Sequence, residues 1–290
     1  MRGGAFGKDA SPGGRVQKML CNLNDVLTDA MKNRYAVGLF NTTDTDLLQA
    51  VIEAAEEMNS PVILGTAEVL LPYGELKLIA PALIAAAQRA SVPVVVHYDH
   101  GLTFERCMEA LKLGFTSVMF DGSALPQEEN LAQTAQMVRI AHAFGATVVG
   151  EIGHVGNASD EETAAAYTTP EEAAYFAERT GVDALAVAIG TAHGAYKKKP
   201  KLSFDSLKAI RANTSLPLVL HGGSGLSDDD FRTSIACGIS KVNIFTDLLL
   251  AGRAEIAKCI AEGVDYLEMR NRKVAAVKEA VKQKMRLFRG

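Results

Sequence analysis

One pattern restricts the fold of this chain more than any other feature: a short apolar, β-branched segment followed by a helical stretch rich in Ala, Leu and Glu. The pattern occurs eight times, with its apolar segments at Ala36–Phe40, Val62–Gly65, Val92–Val96, Ser117–Phe120, Thr147–Gly150, Ala184–Ile189, Leu216–Leu220 and Lys241–Ile244. Near-continuous apolar strands that alternate with helices indicate a parallel sheet whose outer face is covered. Eight units close a barrel, whereas five or six favour an open sheet. The sequence therefore predicts an α/β fold, the (β/α)8 TIM barrel.

Several of the predicted helices have clear starts. Thr169 precedes Pro170 and two glutamates, and Ser227 precedes three aspartates. A hydroxyl residue before such a run is typical of a helix N-cap. A further helix is expected around residues 22–33, before the first repeat. The basic, amphipathic stretch at 268–286 is interpreted as a last helix that packs beside the barrel.

The bulk composition is that of a single-domain globular protein. Its 290 residues, 48% of them hydrophobic, suit one barrel, and no linker interrupts 19–290. The Gly-rich segment 1–18 is expected to be a flexible extension. A net charge of −4 disfavours nucleic acid as a partner, and the absence of a long apolar run disfavours a membrane span. The four cysteines form no CxxC pair, which favours reduced thiols and a cytoplasmic location.

Polar residues follow the predicted strands, at the point where each strand ends. In chain order they are Asn41, Thr66, Asp99, His100, Asp121, Glu151, His193, His221 and Asn243. In a parallel barrel these positions share the C-terminal face, where barrel enzymes carry out their chemistry. Three of the six histidines fall on that face.

His100, His193 and His221 are candidate metal ligands. Neutral imidazoles suit Zn²⁺, and three protein ligands leave a coordination position open for water or substrate. Asp121 and Glu151 are expected either to orient these ligands by hydrogen bonds to their rings or to form an alternative cation site. They could equally belong to an ion-pair network at the barrel mouth. His97 is interpreted as a hydrogen-bonded packing residue that alternates away from Asp99.

Two segments near the end of the barrel predict a phosphate site. Gly222, Gly223 and Ser224 follow strand seven, and Asn243 and Thr246, which follow strand eight, are counted with them as phosphate-binding candidates. The loops after strands seven and eight are the usual phosphate site of such barrels, because backbone N–H groups converge there. Gly194 and Lys197 are expected to add contacts, and Asn41 to contact the substrate.

As a group, these motifs resemble the class II ketose-bisphosphate aldolases, the fructose- and tagatose-bisphosphate enzymes. The resemblance covers roughly residues 20–265. It is carried by the stretches Val96–Gly101, Ser117–Ser123, Ala188–Tyr196, Leu220–Gly225 and Lys241–Ile244. Together, the Asp-His-Gly, Gly-Thr-Ala-His-Gly and His-Gly-Gly-Ser-Gly segments are far more specific than any one of them alone.

The resemblance implies a zinc-dependent aldolase that cleaves a ketose 1-phosphate or 1,6-bisphosphate to dihydroxyacetone phosphate and an aldehyde. It implies that the three histidines bind zinc and that Asp99 exchanges the hydroxyl proton at the bond that breaks. It also implies a monovalent cation, Na⁺ or K⁺, on glycine-loop carbonyls, and a homodimer or homotetramer. The chemistry agrees, because cleavage leaves negative charge on a carbonyl oxygen that a Lewis acid stabilises.

Three departures from the family pattern concern the substrate. The family glutamate that moves the carbon-bound proton falls on Ser159 here, so the candidates are the neighbouring Asp160, Glu161 and Glu162, of which Asp160 is taken first. Phe245 stands where fructose-bisphosphate aldolases have Asp, and the Arg that grips the far phosphate has no counterpart in register. We therefore expect an aldehyde specificity other than, or broader than, that for glyceraldehyde 3-phosphate.

Three alternatives stay open at this point. The first is an ordinary fructose- or tagatose-1,6-bisphosphate aldolase. The second is a non-catalytic barrel that binds zinc or a sugar phosphate, which the acid/base Asp99 disfavours. The third is a metal-independent isomerase, which would keep its activity in the presence of a chelator.

Overall fold

The structure, a computed structural model, describes residues 19–153, 167–194, 196 and 200–289. Its strands are β1 (Leu20–Cys21), β2 (Val37–Asn41), β3 (Val62–Ala67), β4 (Val94–Gly101), β5 (Ser117–Phe120), β6 (Thr147–Ile152), β7 (Ala184–Val187), β8 (Leu218–Leu220) and β9 (Ile239–Ile244). Its α-helices are α1 (Leu23–Asn33), α2 (Thr45–Glu57), α3 (Leu76–Arg89), α4 (Phe104–Lys112), α5 (Gln127–Ala143), α6 (Pro170–Thr180), α7 (Phe204–Asn213), α8 (Asp228–Ala236), α9 (Thr246–Glu262) and α10 (Tyr266–Arg289). A 3₁₀ helix follows β3 at Glu68–Tyr73.

Strands β2 to β9 form a closed parallel barrel. Each pairs with the next along the chain, and β9 returns to pair with β2. The predicted (β/α)8 barrel is confirmed. The short β1 pairs with the start of β4, where Leu20 lies opposite Val94, while β5 pairs with β4 from His97 onward. β1 thus pairs with the part of β4 that comes before the segment paired with β5.

The helix starts read from the sequence are confirmed. Thr169 and Ser227 each cap their helix, and each forms a capping box with the acid three residues later. The last helix is longer than expected and reaches from Tyr266 to Arg289. Val277, Val281 and Phe288 on this helix are buried, so its apolar side packs as expected. On its basic side, Lys278 and Lys282 are half-buried and pair with Glu57 of α2 at 2.9 Å.

Two separate cores stabilise the barrel, because alternate residues of each strand point in opposite directions. Outward side chains pack under the helices. Inward side chains, among them Leu39, Ile63, Val95, Met119 and Val149, pack inside the barrel. Helix α1 lies across the N-terminal end of this interior and contributes Leu23, Val26, Leu27 and Ala30 to it. The barrel is therefore filled and closed at one end, and functional groups can collect only at the other.

No helix among the described residues is long and apolar enough to cross a membrane. All four cysteines are buried and free.

Candidate active site

A cavity of about 410 Å³ opens at the C-terminal ends of the strands. The predicted site residues that line it are Asn41, Asp99, His100, Asp121, Glu151, His193, Gly194, Gly222, Gly223, Ser224, Asn243 and Thr246. His221 lies directly beneath, with 0% exposure, and its Nδ1 is 2.7 Å from Nε2 of His100. Lys197, Asp160, Glu161 and Glu162 lie outside the described residues. The described part of the predicted site is therefore one contiguous group.

The three predicted metal ligands converge at the floor of this cavity. Nitrogen atoms of His100, His193 and His221 lie within 4.8 Å of one another, and the three rings stand nearly perpendicular, at 77–82°. Three imidazoles at this spacing match the donor set that zinc prefers. Carboxylate oxygens of Asp121 and Glu151 form a second group with His100, also within 4.8 Å. Both cation sites weighed from the sequence thus share His100.

Asp121 sets the orientation of the His100 ring. Its Oδ2 lies 2.7 Å from Nδ1 of His100, and its Oδ1 accepts hydrogen bonds from the Ser123 hydroxyl and N–H at 2.7 and 3.1 Å. A carboxylate on Nδ1 leaves Nε2 as the nitrogen that can face a metal. Glu151 is 1% exposed, and its Oε2 lies 3.6 Å from Nδ1 of His221.

A bulge in β4 brings two consecutive residues to the same cavity. In a regular strand Asp99 and His100 would point to opposite faces. Here the pairing with β5 shifts register between Tyr98 and Gly101, and His100 has a left-handed backbone with φ 46°. Such a backbone costs about 1–3 kcal/mol in a residue other than glycine, and it recurs at functional sites. The strain places an acid directly beside a candidate metal ligand.

Two amides hold the carboxylate of Asp99. Nδ2 of Asn41 donates to Oδ2 at 2.9 Å, and Nδ2 of Asn243 donates to both oxygens at 3.0 and 3.1 Å. Burial opposes ionisation of Asp99. The charge of His100 and a contact with His97 outweigh it and hold the pKa of Asp99 well below its usual range. Asp99 is therefore an ionised, fixed base at neutral pH.

The sequence interpretation of His97 is partly wrong. Its side chain lies on the same face as Asp99, with Nε2 3.6 Å from Oδ1, because residues two apart in a strand share a face. Its Nδ1 lies 2.7 Å from the Ser117 hydroxyl, so the hydrogen-bonded role is confirmed. Burial, followed by the charge of Lys241, lowers the pKa of His97 to about 4 and keeps the ring neutral.

Lys241 was not singled out from the sequence, although it belongs to this group. Its side chain is 0% exposed inside the barrel, and its Nζ lies 2.7 Å from Oδ1 of Asn243. Burial lowers the pKa of Lys241 to about 8, although the negative charges of Asp99 and Glu151 act to raise it. The sequence does carry one signal for this residue. Lys241 is a lysine at the first position of an apolar strand segment, two residues before the polar strand end at Asn243.

The predicted phosphate loops meet the N-terminus of α9. The Ser224 hydroxyl accepts hydrogen bonds from the N–H groups of Phe245 and Asp247 at 3.2 and 3.4 Å, which ties the loop after β8 to the start of α9. Thr246 lines the cavity at the same helix end. The N-terminus of a long helix carries partial positive charge and suits an anion.

Tyr196 joins the loop that carries His193 to the loop that carries Gly222. Its hydroxyl accepts from the Ala192 N–H at 2.8 Å and donates to the Gly222 carbonyl at 2.7 Å. Gly222 has φ 64°, and any side chain there would collide with the Ala192 carbonyl. The two loops therefore pack backbone against backbone, with the tyrosine as a strut between them.

Part of the cavity lining is apolar. Val69, Leu70, Leu102 and Phe245 form this part, and no lysine or arginine stands among the described lining residues. The arginines nearest in sequence to the family position point elsewhere. Arg270 pairs with Asp46 at 2.8 Å, and Arg272 hydrogen-bonds Glu255 at 2.7 Å.

Comparison with known proteins agrees with this geometry. A family model described as "Fructose-bisphosphate aldolase class-II" matches residues 21–290. The chain belongs to the class II fructose-bisphosphate aldolase family. It is 41% identical over 273 residues to the protein YdjI of Escherichia coli K12, a match that covers 93% of this chain and 98% of YdjI. It is 38% identical over 277 residues to a fructose-bisphosphate aldolase of Staphylococcus epidermidis strain RP62A, covering 93% and 97% of the two chains.

Structural similarity leads to the same family. The crystal structure of the YdjI aldolase from E. coli K12 superimposes with a TM-score of 0.84 at 37% identity, over 93% of this chain and 97% of that one. Members of this aldolase family are lyases that act on sugar phosphates and are generally zinc-dependent. The resemblance drawn from the motifs is thus confirmed, and the chain is an aldolase.

Proposed function

We propose that this aldolase is zinc-dependent and reversibly cleaves a ketose 1-phosphate or 1,6-bisphosphate to dihydroxyacetone phosphate and an aldehyde. The observation that carries the proposal is the convergence of three imidazoles beside an ionised, buried carboxylate, in a cavity bordered by glycine loops at a helix N-terminus. An acid/base beside a metal site has no purpose in a protein that only binds its ligand.

The donor set fits zinc. His100, His193 and His221 would hold the ion, with Asp121 fixing the His100 ring through Nδ1. When bound, the ion supplies a Lewis acid that stabilises negative charge on the substrate's ketone oxygen. Asp121 and Glu151 are proposed to support the three ligands, and their arrangement with His100 also suits a second cation position.

Asp99 performs the proton transfer on the aldehyde half. In cleavage its carboxylate takes the proton of the C4 hydroxyl, and the C3–C4 bond breaks. The aldehyde then carries the new C=O, and the electron pair stays on the three-carbon fragment. A separate acid must then protonate C3, and Asp160 is the candidate. In synthesis each step runs backwards, with Asp99 returning its proton to the new alkoxide.

The phosphate of the three-carbon fragment is proposed to lie at the end of α9. Gly194, Gly222, Gly223, Ser224 and Thr246 border that part of the cavity, and Lys197 is proposed to add a positive charge. Holding this phosphate aligns the ketone and hydroxyl oxygens with the three histidines. Na⁺ or K⁺ on the carbonyls of the same loops is part of the proposal.

The aldehyde half carries the departures from ordinary fructose-bisphosphate aldolases. Phe245 cannot accept hydrogen bonds from sugar hydroxyls, and it belongs to the apolar part of the cavity lining with Val69 and Leu102. These residues support an aldehyde specificity other than, or broader than, that for glyceraldehyde 3-phosphate. The three histidines and Asp99 are all present, so the proposed core chemistry does not depend on the choice of aldehyde.

A panel of aldehydes offered with dihydroxyacetone phosphate tests the specificity. Glyceraldehyde 3-phosphate, glyceraldehyde, glycolaldehyde and propanal are compared by the consumption of dihydroxyacetone phosphate. We expect turnover of several aldehydes, with no strong preference for the phosphorylated one. A clear preference for glyceraldehyde 3-phosphate would support an ordinary fructose- or tagatose-bisphosphate enzyme.

A partial reaction tests the core chemistry without knowledge of the aldehyde. Zinc-loaded protein in D₂O should exchange one carbon-bound proton of dihydroxyacetone phosphate, followed by NMR. A chelator should stop the exchange and added zinc restore it. Exchange that survives thorough chelation would contradict the metal assignment. A cytoplasmic location and a homodimer or homotetramer complete the proposal, and sedimentation velocity would measure the assembly.

A further inference from the structure

Lys241 is a buried cation that the mechanism above does not use. Its side chain is 0% exposed beneath the cavity. Lysine is almost never fully buried unless its charge is offset by a partner. Its Nζ lies 2.7 Å from Oδ1 of Asn243, two residues further along β9 and on the same face. A group this costly to bury, aimed at one amide, calls for a reason.

The contacts of Asn243 give its amide a fixed direction. Lys241 only donates hydrogen bonds, so the amide atom that faces it must be the oxygen. The carboxylate of Asp99 only accepts, so the atom that faces it must be the nitrogen, at 3.0 and 3.1 Å. A flipped amide would place a donor against the ammonium and an oxygen against the carboxylate. The cation and the base thus determine the same orientation from opposite sides.

We propose that Lys241 is a positioning residue, which fixes the carboxamide of Asn243 and, through it, the carboxylate of Asp99. The inference rests on the proposed function, because it assigns Lys241 to the step that Asp99 performs. Asn41 holds one oxygen of Asp99 at 2.9 Å, so the Asn243 contact completes the set of donors that prevents rotation of the carboxylate. A fixed carboxylate keeps its oxygen within reach of the substrate hydroxyl.

The first test replaces the cation by an apolar side chain of similar length, Lys241→Met. We expect kcat for the addition of dihydroxyacetone phosphate to glyceraldehyde to fall about tenfold to a hundredfold, as for loss of a hydrogen bond to a charged group. Proton exchange of dihydroxyacetone phosphate alone, at saturating concentration, should change much less, because it does not need Asp99. Val242→Ala is the matched control. Val242 is buried on the opposite face of β9, so this variant should lower the melting temperature and leave kcat unchanged.

A double-mutant cycle separates positioning from a direct effect. If Lys241 acts through Asn243, Lys241→Met should cost little more activity in an Asn243→Ala background. Lys241→Gln, which keeps an N–H donor, should recover part of the lost kcat. The proposal would be overturned if the losses of kcat in Lys241→Met and Asn243→Ala multiplied in the double variant, or if Lys241→Met lost no kcat. It would also be overturned if Lys241→Met lost proton exchange and addition to the same extent. Failure of the wild-type protein to exchange or condense dihydroxyacetone phosphate would instead overturn the proposed function.

Discussion

Replacing Asp99 by Asn is the most informative single change, because it removes the base and keeps its shape. In the wild type, the carboxylate accepts three contacts from two amide groups at 2.9–3.1 Å. Asparagine offers one oxygen, so its own NH₂ must face the NH₂ of Asn41 or Asn243. The variant therefore loses the proton acceptor and also one of the hydrogen bonds that hold the side chain in place.

The size of the effect follows from the role of the group. A positioned general base contributes about 10²- to 10⁴-fold to rate, or about 3–5 kcal/mol of transition-state stabilisation. We expect kcat for addition of dihydroxyacetone phosphate to glyceraldehyde to fall by that factor in Asp99→Asn. The lost hydrogen bond to a charged group affects folding less, at about 1.5–3 kcal/mol. Zinc content should be unchanged, because the three histidines are intact.

The assay compares two reactions of the same protein. In the proposed mechanism, addition to glyceraldehyde requires Asp99, whereas exchange of the carbon-bound proton in D₂O requires a different acid. Asp99→Asn should therefore retain exchange and lose addition, and Asp99→Ala serves as the control that carries no amide. If exchange and addition fell together while zinc and fold were retained, the assignment of Asp99 to the hydroxyl proton would be refuted.

Four further predictions address the ligands, the loops and the packing. Asp121→Ala should weaken zinc binding about 10- to 100-fold by freeing the His100 ring, measured by competition with a chromogenic chelator, and unchanged affinity would contradict the orienting role. Tyr196→Phe removes the strut at 2.8 and 2.7 Å and should raise KM for dihydroxyacetone phosphate more than it lowers kcat; an unaltered KM would count against it. Phe288→Ala, at a site 1% exposed, should lower the free energy of unfolding by about 3–5 kcal/mol in urea, and a loss under 1 kcal/mol would show that α10 packs loosely. Burial lowers the pKa of His100, but Asp99 and Asp121 outweigh it and raise that pKa to about 9 in the metal-free protein. Zinc binding at pH 7 should therefore release a proton, seen by calorimetry in buffers of different ionisation enthalpy, and the stability that protonated His100 gives the metal-free protein should be lost as pH rises through about 9.

The fold was predictable from the sequence because a parallel barrel repeats one strong signal eight times. Apolar runs such as Val92–Val96 are buried on both sides, so each can be recognised as a strand from its own sequence without knowing which strand it pairs with. The end of a strand is less visible. β4 continues to Gly101 through polar residues, and its bulge depends on pairing with β5, which no local pattern shows. Two-residue β1 has too little sequence to predict.

The candidate site was predictable where its residues stand at strand ends and not where they lie deeper. His100 and Asp99 follow an apolar run and attract notice. Lys241 lies inside the barrel, where a charged residue is improbable on general grounds, and only the three-dimensional position of Asp99 and Asn243 explains it. The prediction that His97 points away from Asp99 was wrong, because residues two apart in a strand share a face. The hydrogen bond from Tyr196 to Gly222 joins residues 26 positions apart in two different loops, and no sequence motif shows that these loops are in contact.

Closure of the barrel by α1 has a kinetic consequence. Because Leu23, Val26 and Leu27 block the N-terminal end of the barrel, reactants reach the described site from its C-terminal end. Val69 and Leu102 lie at the exposed rim of the cavity, at 63% and 52% exposure, whereas Ser224 beside the proposed phosphate position is 7% exposed. With the aldehyde against these rim residues, as proposed, it would stand between the three-carbon product and solvent. Release should be ordered, aldehyde first, and product inhibition should be competitive with the ketose for dihydroxyacetone phosphate and noncompetitive for the aldehyde.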